Sequence, residues 1–279
     1  MERVAVLGTG LLGSGFVQGF RKRGIAVRAW NRSLDKARAL ESLGVEVAAD
    51  PAEAVRGVDR VHLVLSDDRA VDDVLAAAWP ALTAPVIDHS TLSPAGVAAR
   101  VARFEAAGRT YLHAPVFMGP PNARDATGIL LVSGRAELVE QMLPHLRPLT
   151  GTVVPLGDRP DQAAAFKLFG NAALITMVAA ASDVLAMARS LGIDEQAALG
   201  LFDQFDPAPA FKHRGKKIAR REFSPASFEL TMARKDLRLM MEAAGGQTLI
   251  ALPAIAARID ALVAQGHGSD DLTAVGRPG

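Results

Sequence analysis

The chain contains no cysteine among its 279 residues. That absence excludes disulfide bonds, thiolate nucleophiles and cysteine-ligated zinc, and it is compatible with a reducing cytosol. The six histidines are far apart in the sequence and form no pair at the spacing of helical metal ligands. We therefore expect no metal site.

The chain also lacks an excess of charge of either sign, with 31 basic and 30 acidic side chains. This balance creates no field that would attract nucleic acid or a membrane surface, so we expect neither as a partner. The apolar run at residues 171–181 is too short to span a bilayer before Ser182 and Asp183 interrupt it. A strand pattern starts at the third residue and leaves no room for a cleavable leader, so a cytoplasmic location is the default expectation.

The hydrophobic pattern divides the chain into two parts. Up to about residue 156, short β-branched runs alternate with alanine-rich segments of helical period, which is typical of βαβ units. The predicted strands are residues 4–7, 27–30, 61–65, 86–88, 112–116, 129–133 and 153–156. The predicted helices after residue 161 are 162–191, 195–202, 225–244 and 248–265, with a Pro- and Phe-containing stretch at 206–223. The Gly-rich residues 266–279 are expected to form a loose tail.

A glycine-rich segment follows the first strand directly. VAVLGTGLLGSG, residues 4–15, places Gly8, Gly10 and Gly13 in a G-x-G-x-x-G spacing at the start of a helical pattern. The first glycine makes the tight turn, the second lets the backbone approach a pyrophosphate, and the third packs helix on strand. The motif alone is a weak signal, but its position in a βαβ unit favours dinucleotide binding. We predict an α/β fold, with a Rossmann-type doubly wound parallel sheet in residues 1–158 and an all-α domain in residues 159–279.

The end of the second predicted strand indicates which dinucleotide is bound. An NAD site usually has an acidic residue there, whereas this chain has Asn31, Arg32 and Ser33, followed by Lys36 a turn later. A guanidinium binds a 2′-phosphate through paired N–H donors, so the pattern predicts NADP(H). A capping role for Ser33 with a solvated Arg32 is the alternative, and capping is compatible with phosphate binding.

Five segments together resemble the β-hydroxyacid dehydrogenases, a family that includes 3-hydroxyisobutyrate dehydrogenase and tartronate semialdehyde reductase. The segments are GTGLLGSGFVQGFRKRGIAVRAWNRS at the start, HLVLSDDRAV (62–71), DHSTLSP (88–94), FKLFGN (166–171) and ARKDLRLMMEAAG (233–245). They occur in the family's order and close to its spacings, over nearly the whole chain. Imine reductases are the nearest related group.

The resemblance implies an NADP-dependent oxidoreductase that acts on a small hydroxy acid or semialdehyde-like carbonyl, with Lys167 as general acid and base and Asn171 beside it. It also implies a C-terminal domain like that of 6-phosphogluconate dehydrogenase and assembly as a homodimer or higher homo-oligomer. With the motif residues, the expected cofactor contacts are Gly8, Thr9, Gly10, Leu11, Leu12, Gly13, Asn31, Arg32, Ser33, Leu65, Ser66, Thr91 and Lys235.

The residues around Lys167 allow two interpretations by themselves. A lysine on an apolar helix commonly extends its ammonium to water along its own stem. Lys167 and Asn171 nevertheless fall on one helical face, so both side chains can point into the same cleft. Gly170 stands where the family often has asparagine, and a glycine widens the space beside the lysine.

One segment departs from the family pattern. HAPVFMGPPNA (113–123) stands where the family reads D-A-P-V-S-G-G and binds the substrate carboxylate. The predicted substrate contacts are Phe117, Met118 and Gly119, and the two prolines that follow have no N–H to donate. Either the two large side chains are interior packing, or the substrate wall has become apolar. The second alternative favours an imine reductase, and a non-catalytic NADPH-binding protein is a remote third.

Other charged and titratable residues receive simpler interpretations. The basic run at residues 212–221 is interpreted as a solvated helix face, because no aromatic residues are interleaved in it. His89 and His113 are interpreted as satisfying local hydrogen bonds rather than acting as general acids. Asp236 is not expected to pair with Lys235, since adjacent helical residues do not face each other.

Overall fold

Nine strands and twelve α-helices form in residues 2–278, the part of the chain that the computed structural model describes. The strands are β1 (Arg3–Leu7), β2 (Ala26–Trp30), β3 (Glu46–Val47), β4 (Arg60–Leu63), β5 (Val86–Asp88), β6 (Tyr111–His113), β7 (Val116–Phe117), β8 (Ile129–Val132) and β9 (Thr152–Pro155).

The helices alternate with these strands and then continue without them. They are α1 (Leu11–Lys22), α2 (Leu34–Arg38), α3 (Pro51–Val55), α4 (Asp68–Ala78), α5 (Pro94–Ala106), α6 (Pro120–Asp125), α7 (Ala136–Leu146), α8 (Gln162–Ser190), α9 (Glu195–Gly200), α10 (Ala208–Arg220), α11 (Leu230–Ala243) and α12 (Leu252–Ala264). Short 3-10 helices cover Glu41–Leu43, Arg147–Leu149, Leu201–Asp203 and Leu272–Gly276.

The chain forms two compact units, Met1–Asn171 and Ala172–Gly279, so the division falls within α8. We call them the N-terminal unit and the C-terminal unit. The predicted domain boundary at residues 158/159 stays a prediction.

The main sheet of the N-terminal unit has six parallel strands in the order β3-β2-β1-β4-β5-β6. Val4 to Leu7 of β1 are fully buried, as expected for a parallel strand that is covered by helices on both faces. The strand order reverses at β1, which has β2 on one side and β4 on the other. In such sheets ligands bind outside the carboxyl ends of the strands at this reversal. The predicted α/β fold class is confirmed.

A second, smaller sheet has the order β7-β8-β9, and the sequence patterns did not predict it. The single strand predicted at 112–116 is wrong, because the chain changes sheets within it. The Ala114 N–H still bonds the Asp88 carbonyl in the main sheet, whereas the Pro115 carbonyl accepts from Leu131 in the second. Periodicity does not report which neighbour a strand pairs with, so the change was invisible.

Helix α1 packs closely against α6 because two of its residues have no side chain. A Cβ at Gly15 would lie 2.6 Å from the Pro120 carbonyl oxygen, and one at Gly19 would lie 2.7 Å from the Ala123 carbonyl oxygen. This close contact fixes the segment that follows β7 against the helix that follows β1.

The C-terminal unit is helical, as predicted, but two of its segments differ from expectation. Residues 208–220 form α10, in a stretch for which the hydrophobic period predicted no helix, although the basic run within it was interpreted as a helix face. The predicted loose tail is wrong as well, because Asp271 is fully buried and anchors it. Its carboxylate accepts from the N–H groups and hydroxyls of Ser227 and Thr273.

Two cations of the basic run complete the Asp271 site. The guanidinium of Arg214 lies 3.1 Å and the ammonium of Lys217 lies 3.9 Å from the Asp271 carboxylate. Burial alone raises the pKa of this carboxyl, but the N–H and hydroxyl donors outweigh it and hold the pKa far below its usual range. The basic run therefore holds the C-terminal residues in place with part of its charge, which corrects its interpretation as a merely solvated face.

Candidate active site

A cavity of about 710 Å³ lies at the carboxyl ends of β1, β2, β4 and β5, and all its lining residues belong to the N-terminal unit. This volume is in the range of small-molecule and cofactor sites. The predicted site residues that line it are Gly8, Gly10, Leu11, Leu12, Gly13, Asn31, Arg32, Ser33, Leu65, Ser66, Thr91, Met118 and Lys167. Sequence reasoning did not assign to it Trp30, Pro51, Val64, Ala70, Asp73, Val74, Ala77, His89, Ser90 and Val116.

The three glycines of the loop after β1 differ in what surrounds them. Gly8 has φ +102°, and an added Cβ would overlap the Val64 carbonyl oxygen. A Cβ at Gly13 would overlap the Gly8 carbonyl oxygen, whereas a Cβ at Gly10 meets no atom within 4 Å. Two glycines are therefore required by the protein's own packing, and the middle one faces open space in which a ligand's phosphates can approach the backbone.

The N-terminus of α1 is arranged to bind an anion. Gly10 is the N-cap, no side chain caps the helix, and the first turn contains no acidic residue. The first N–H groups therefore lack intrahelical partners and carry the positive end of the helix dipole toward the cavity. Together with the open space at Gly10, this end of the cavity fits the pyrophosphate of a dinucleotide.

Asn31 ties the end of β2 to the glycine loop. Its Oδ1 accepts from the Thr9 N–H at 3.0 Å, and its Nδ2 donates to the Ser33 carbonyl at 3.0 Å. Thr9 itself lies behind the loop, 3% exposed, and does not line the cavity. Of the predicted cofactor contacts in this region, Asn31 therefore positions the glycine loop and Thr9 is buried.

Two exposed cations remain at this corner of the cavity. Within residues 2–278, no carboxylate lies within 4.0 Å of Arg32 or Lys36, and both line the cavity. Ser33 occupies the N-cap position of α2 without a side-chain capping bond. The hydroxyl and both cations are therefore available to an anionic group.

The D-x-S-T segment, which begins at the last residue of β5, supports the loop after β4. Asp88 is fully buried and accepts from the Tyr111 hydroxyl at 2.7 Å and the Ser90 N–H at 2.9 Å. The Ser90 hydroxyl in turn accepts from the Leu65 N–H at 2.9 Å. Asp88 and Ser90 therefore position Leu65 at the cavity wall.

Two buried histidines lie under α1, the helix that follows the glycine loop. The His62 Nδ1 is 3.0 Å from the His89 Nε2, and the His89 Nδ1 is 2.8 Å from the Ala114 carbonyl oxygen. Phe16 stacks on His89 with ring centroids 4.7 Å apart. Burial lowers the pKa of His89 to about 4 and the pKa of His62 well below its usual value. Both rings are neutral near pH 7, and the hydrogen-bond interpretation of His89 agrees with this geometry.

Lys167 lies on the second turn of α8 with only 9% of its surface exposed. Its ammonium is 4.1 Å from the centroid of the Phe117 ring. Burial lowers the pKa of the Lys167 ammonium from its ordinary value. The side chain therefore does not reach bulk water along its own stem but ends at the cavity that the glycine loop also lines.

The predicted substrate contacts are not all at the cavity. Val116 and Met118 line it, while Phe117 and Gly119 do not. Successive residues of a strand point to opposite faces, so Phe117 lies on the other side of β7 from its neighbours. Phe117 reaches the site through its contact with Lys167 rather than as part of the wall.

Two further predicted site residues lie elsewhere. Asn171 follows Lys167 by one helical turn, half-buried, and does not line the cavity. Lys235 belongs to the C-terminal unit, where its ammonium lies 3.0 Å from the Asp236 carboxylate. The expectation that these two do not pair is wrong, because the long lysine side chain bends back toward its neighbour.

No group of three or more histidine, aspartate or glutamate side chains in residues 2–278 is arranged to hold a metal ion. Helix α8 is long and apolar enough to cross a membrane by length and composition alone, and little of its apolar window is buried. The expectation that the apolar run at residues 171–181 is too short to span a bilayer is therefore corrected, since the helix extends well beyond that run.

Residues 3–157 match the family model of the NAD binding domain of 6-phosphogluconate dehydrogenase. The "Uncharacterized oxidoreductase YfjR" of Bacillus subtilis is 26% identical over 247 residues, covering 87% of this chain and 86% of that protein. The 3-sulfolactaldehyde reductase of Escherichia coli is 25% identical over 285 residues, covering 99% and 95%.

A third relative is longer than this chain. The cytokine-like nuclear factor N-PAC of Xenopus tropicalis is 27% identical over 244 residues, which are 85% of this chain and 45% of that protein. The chain thus spans less than half of N-PAC.

Solved structures share the fold over its whole length. A reductive aminase from Aspergillus terreus, in complex with NADPH4, cyclohexanone and allyl amine, has a TM-score of 0.88 at 22% identity, covering 98% of each chain. An imine reductase from Myxococcus stipitatus, in complex with NADP+, has a TM-score of 0.88 at 20% identity, with the same coverage.

Proposed function

The chain belongs to the family of the 6-phosphogluconate dehydrogenase NAD binding domain, and on that premise we propose that it is an NADP(H)-dependent oxidoreductase with Lys167 as its general acid and base. Its substrate is a small hydroxy acid or the corresponding carbonyl compound. The observation that carries this proposal is the buried Lys167 ammonium in the same cavity as the glycine loop.

The preference for NADP(H) is supported by the corner of the cavity at the end of β2. Arg32 and Lys36 have no carboxylate within 4.0 Å in the described residues, and no acidic side chain follows β2 directly to repel a 2′-phosphate. A guanidinium offers paired N–H donors to such a group. The reductive aminase and the imine reductase were both solved with the phosphorylated dinucleotide, which agrees with this assignment.

Lys167 moves the proton of the reaction. When bound, NADPH supplies the hydride. In the direction of reduction, the Lys167 ammonium donates a proton to the oxygen of the substrate carbonyl as negative charge develops there. In the direction of oxidation, the neutral amine accepts the proton of the hydroxyl. Burial lowers the pKa of the Lys167 ammonium from its ordinary value, which makes the ammonium a stronger proton donor than a lysine in water.

A second candidate, imine reduction, is favoured by the wall beside the lysine. Met118 lines the cavity, and the two prolines at the start of α6 have no N–H to bind a substrate carboxylate. A substrate without an anionic group fits this wall better than a hydroxy acid. Retention of Lys167 favours carbonyl chemistry, since an oxyanion must be protonated there.

Substitution of Lys167 by alanine tests the proposal. We expect Lys167→Ala to lower kcat about 10²- to 10⁴-fold, because it removes the proton donor. NADPH binding, followed by cofactor fluorescence, should be retained. The measurement is NADPH absorbance with hydroxy acids, semialdehydes and cyclic imines as substrates.

The outcomes of this experiment are distinct. Lys22→Ala, at an exposed position on α1, is the matched control and should keep the wild-type rate. A Lys167→Ala enzyme with the wild-type rate would remove the lysine from the mechanism. Turnover of cyclic imines alone would select the second candidate, and no turnover of any substrate would favour a protein that binds NADPH without catalysis.

We also propose that a second copy of this chain covers part of α8. In the C-terminal unit, Leu174, Ile175, Met177 and Val178 are between 57% and 69% exposed, a large apolar face for a water-exposed helix. Asp183 of the same helix is buried and accepts from the N–H groups of Ile250, Ala251 and Leu252. A helix already packed on protein through a carboxylate fits a protein partner better than lipid.

The molar mass in solution tests this assembly. Light scattering without detergent should give at least twice the chain mass, and Ile175→Asp should lower it, because a charge is costly in a buried apolar interface. The exposed substitution Lys216→Asp is the control. A wild-type monomer that stays soluble, or a requirement for detergent, would contradict the proposal.

A further inference from the structure

The ring of Phe117 lies between two residues of α8. The Lys167 ammonium lies over one face of the ring, 4.1 Å from the ring centroid. Its outer edge reaches the backbone of Gly170, three residues further along the helix. Phe117 comes from β7, about fifty residues earlier in the sequence, so this cluster of three exists only in the folded chain.

Gly170 is what allows the ring to be there. A Cβ added at Gly170 would overlap the Phe117 Cζ and would lie 2.6 Å from Cε1 and 3.2 Å from Cε2. Contacts shorter than about 3 Å force a neighbour to move, and here the neighbour is a ring held at the end of a strand that pairs with β8. Any larger residue at this position would therefore displace the ring from beneath the ammonium.

The ring of Phe117 contacts a cation that has no acidic partner nearby. Within the described N-terminal unit, no carboxylate lies within 4.0 Å of the Lys167 ammonium, and the side chain is 9% exposed. The face of an aromatic ring carries negative electrostatic potential and attracts a cation, more strongly where water is excluded. With no carboxylate within 4.0 Å in the described N-terminal unit, contact with this ring face offsets part of the hydration that the cation loses on burial.

We propose that Phe117, seated on the backbone of Gly170, is a positioning residue that holds the Lys167 ammonium at the cavity through a cation–π contact. The proposal rests on the proposed function, in which Lys167 transfers the proton. It assigns to Phe117 an electrostatic task that a serine at this position does not perform. It also explains why a phenylalanine and a glycine occur together in this chain.

Four variants test the pair. Phe117→Leu removes the ring and keeps an apolar side chain, while Phe117→Tyr keeps the ring. Gly170→Ala displaces the ring without altering it, and Phe117→Leu combined with Gly170→Ala removes the clash. Circular dichroism checks folding, and Phe117→Met replaces Phe117→Leu if that variant does not fold.

The first measurement is the pH dependence of kcat for reduction. Since the ring face stabilises the cation, its removal makes the ammonium lose its proton at lower pH. We expect the alkaline limb to move down by about one pH unit in Phe117→Leu and in Gly170→Ala, a tenfold change in the protonation equilibrium. Phe117→Tyr should keep the wild-type profile. In the double variant, Gly170→Ala should add little to the shift of the alkaline limb that Phe117→Leu causes, because the effect of Gly170→Ala operates through the ring.

The second measurement needs no turnover. Lysines of the cofactor-free protein are dimethylated with ¹³C-formaldehyde, and the Lys167 signal is identified by its absence in Lys167→Arg. Its NMR titration midpoint should move in the same direction in Phe117→Leu and stay in place in Phe117→Tyr. Equal midpoints in wild type and Phe117→Leu would overturn the inference, as would equal shifts in Phe117→Leu and Phe117→Tyr. Failure of the proposed function has a different signature, namely undiminished turnover in Lys167→Ala, which leaves this titration unaffected.

Discussion

The two ends of the cavity are built in different ways. At the glycine-loop end, Gly8 and Gly13 are packed so closely against the backbone that neither has room for a Cβ, and the backbone itself faces the ligand. At the lysine end, a side chain from α8 is held by a ring from β7. Backbone recognition tolerates little change, whereas a pair of side chains can be replaced together. Side chains at the second end can therefore vary more easily than the glycines at the first.

The largest effect that would test this comparison is expected at Gly13. Gly13→Ala forces a Cβ into the Gly8 carbonyl oxygen, so we expect the free energy of unfolding to fall by about 3 kcal/mol and NADPH binding to be lost. Urea unfolding and cofactor fluorescence measure the two quantities.

Gly10→Ala is the matched control, because its Cβ meets nothing within 4 Å in the protein. It should change stability by less than about 0.5 kcal/mol and still weaken NADPH binding, since the methyl group occupies the ligand's space. Equal stability of wild type and Gly13→Ala would contradict the view that packing dictates this glycine.

A smaller effect is expected from the two buried histidines under α1, the helix that follows this loop. The unfolded chain binds protons at His62 and His89 below about pH 6.5, whereas in the folded protein burial lowers the pKa of His89 to about 4. The two histidines therefore do not change the free energy of unfolding above pH 7, and they lower it as the pH falls below about 6.5. We expect a loss of about 2 kcal/mol from His89 between pH 7.5 and pH 5, measured by urea unfolding.

His89→Gln should reduce this pH dependence, because one of the two groups no longer titrates. The exposed substitution His213→Gln serves as the control and should leave the slope unchanged. A slope equal to that of wild type in His89→Gln would mean that other groups account for the acid sensitivity.

The smallest effect is expected at the exposed corner of the cavity. Arg32→Ala should weaken NADPH binding about tenfold, or about 1.4 kcal/mol, and leave NADH binding nearly unchanged, because only NADPH has the 2′-phosphate. Arg38→Ala, at the last residue of α2 and outside the cavity lining, is the control. Equal weakening of both cofactors by Arg32→Ala would remove the assignment of that side chain to the phosphate.

The parts of the structure that follow from local sequence were predicted well. The strand and helix order of the main sheet, the glycine turn and the segment after β2 depend on residues close in the chain. The short β3 was missed because two residues carry no periodicity. The tail was misjudged because its anchor, Asp271, binds partners more than forty residues away.

The candidate site was predicted in the same uneven way. Eleven of the thirteen predicted cofactor contacts line the cavity, whereas Thr9 lies behind the loop and Lys235 lies in the C-terminal unit. Sequence reasoning missed His89 and Ser90 as lining residues, although the D-x-S-T segment that contains both was recognised. Phe117 was expected in the wall, and strand alternation from Val116 could have placed it on the opposite face.

The sequence by itself determined the α/β fold class and the dinucleotide end of the cavity, because glycine spacing and strand alternation act over a few residues. Only the tertiary structure decided what surrounds Lys167. The ring of Phe117 and the bare backbone of Gly170 meet there through the pairing of β7 with β8 and the packing of α8. The environment of a buried charge depends on every element packed around it, and no local pattern in the chain records that environment.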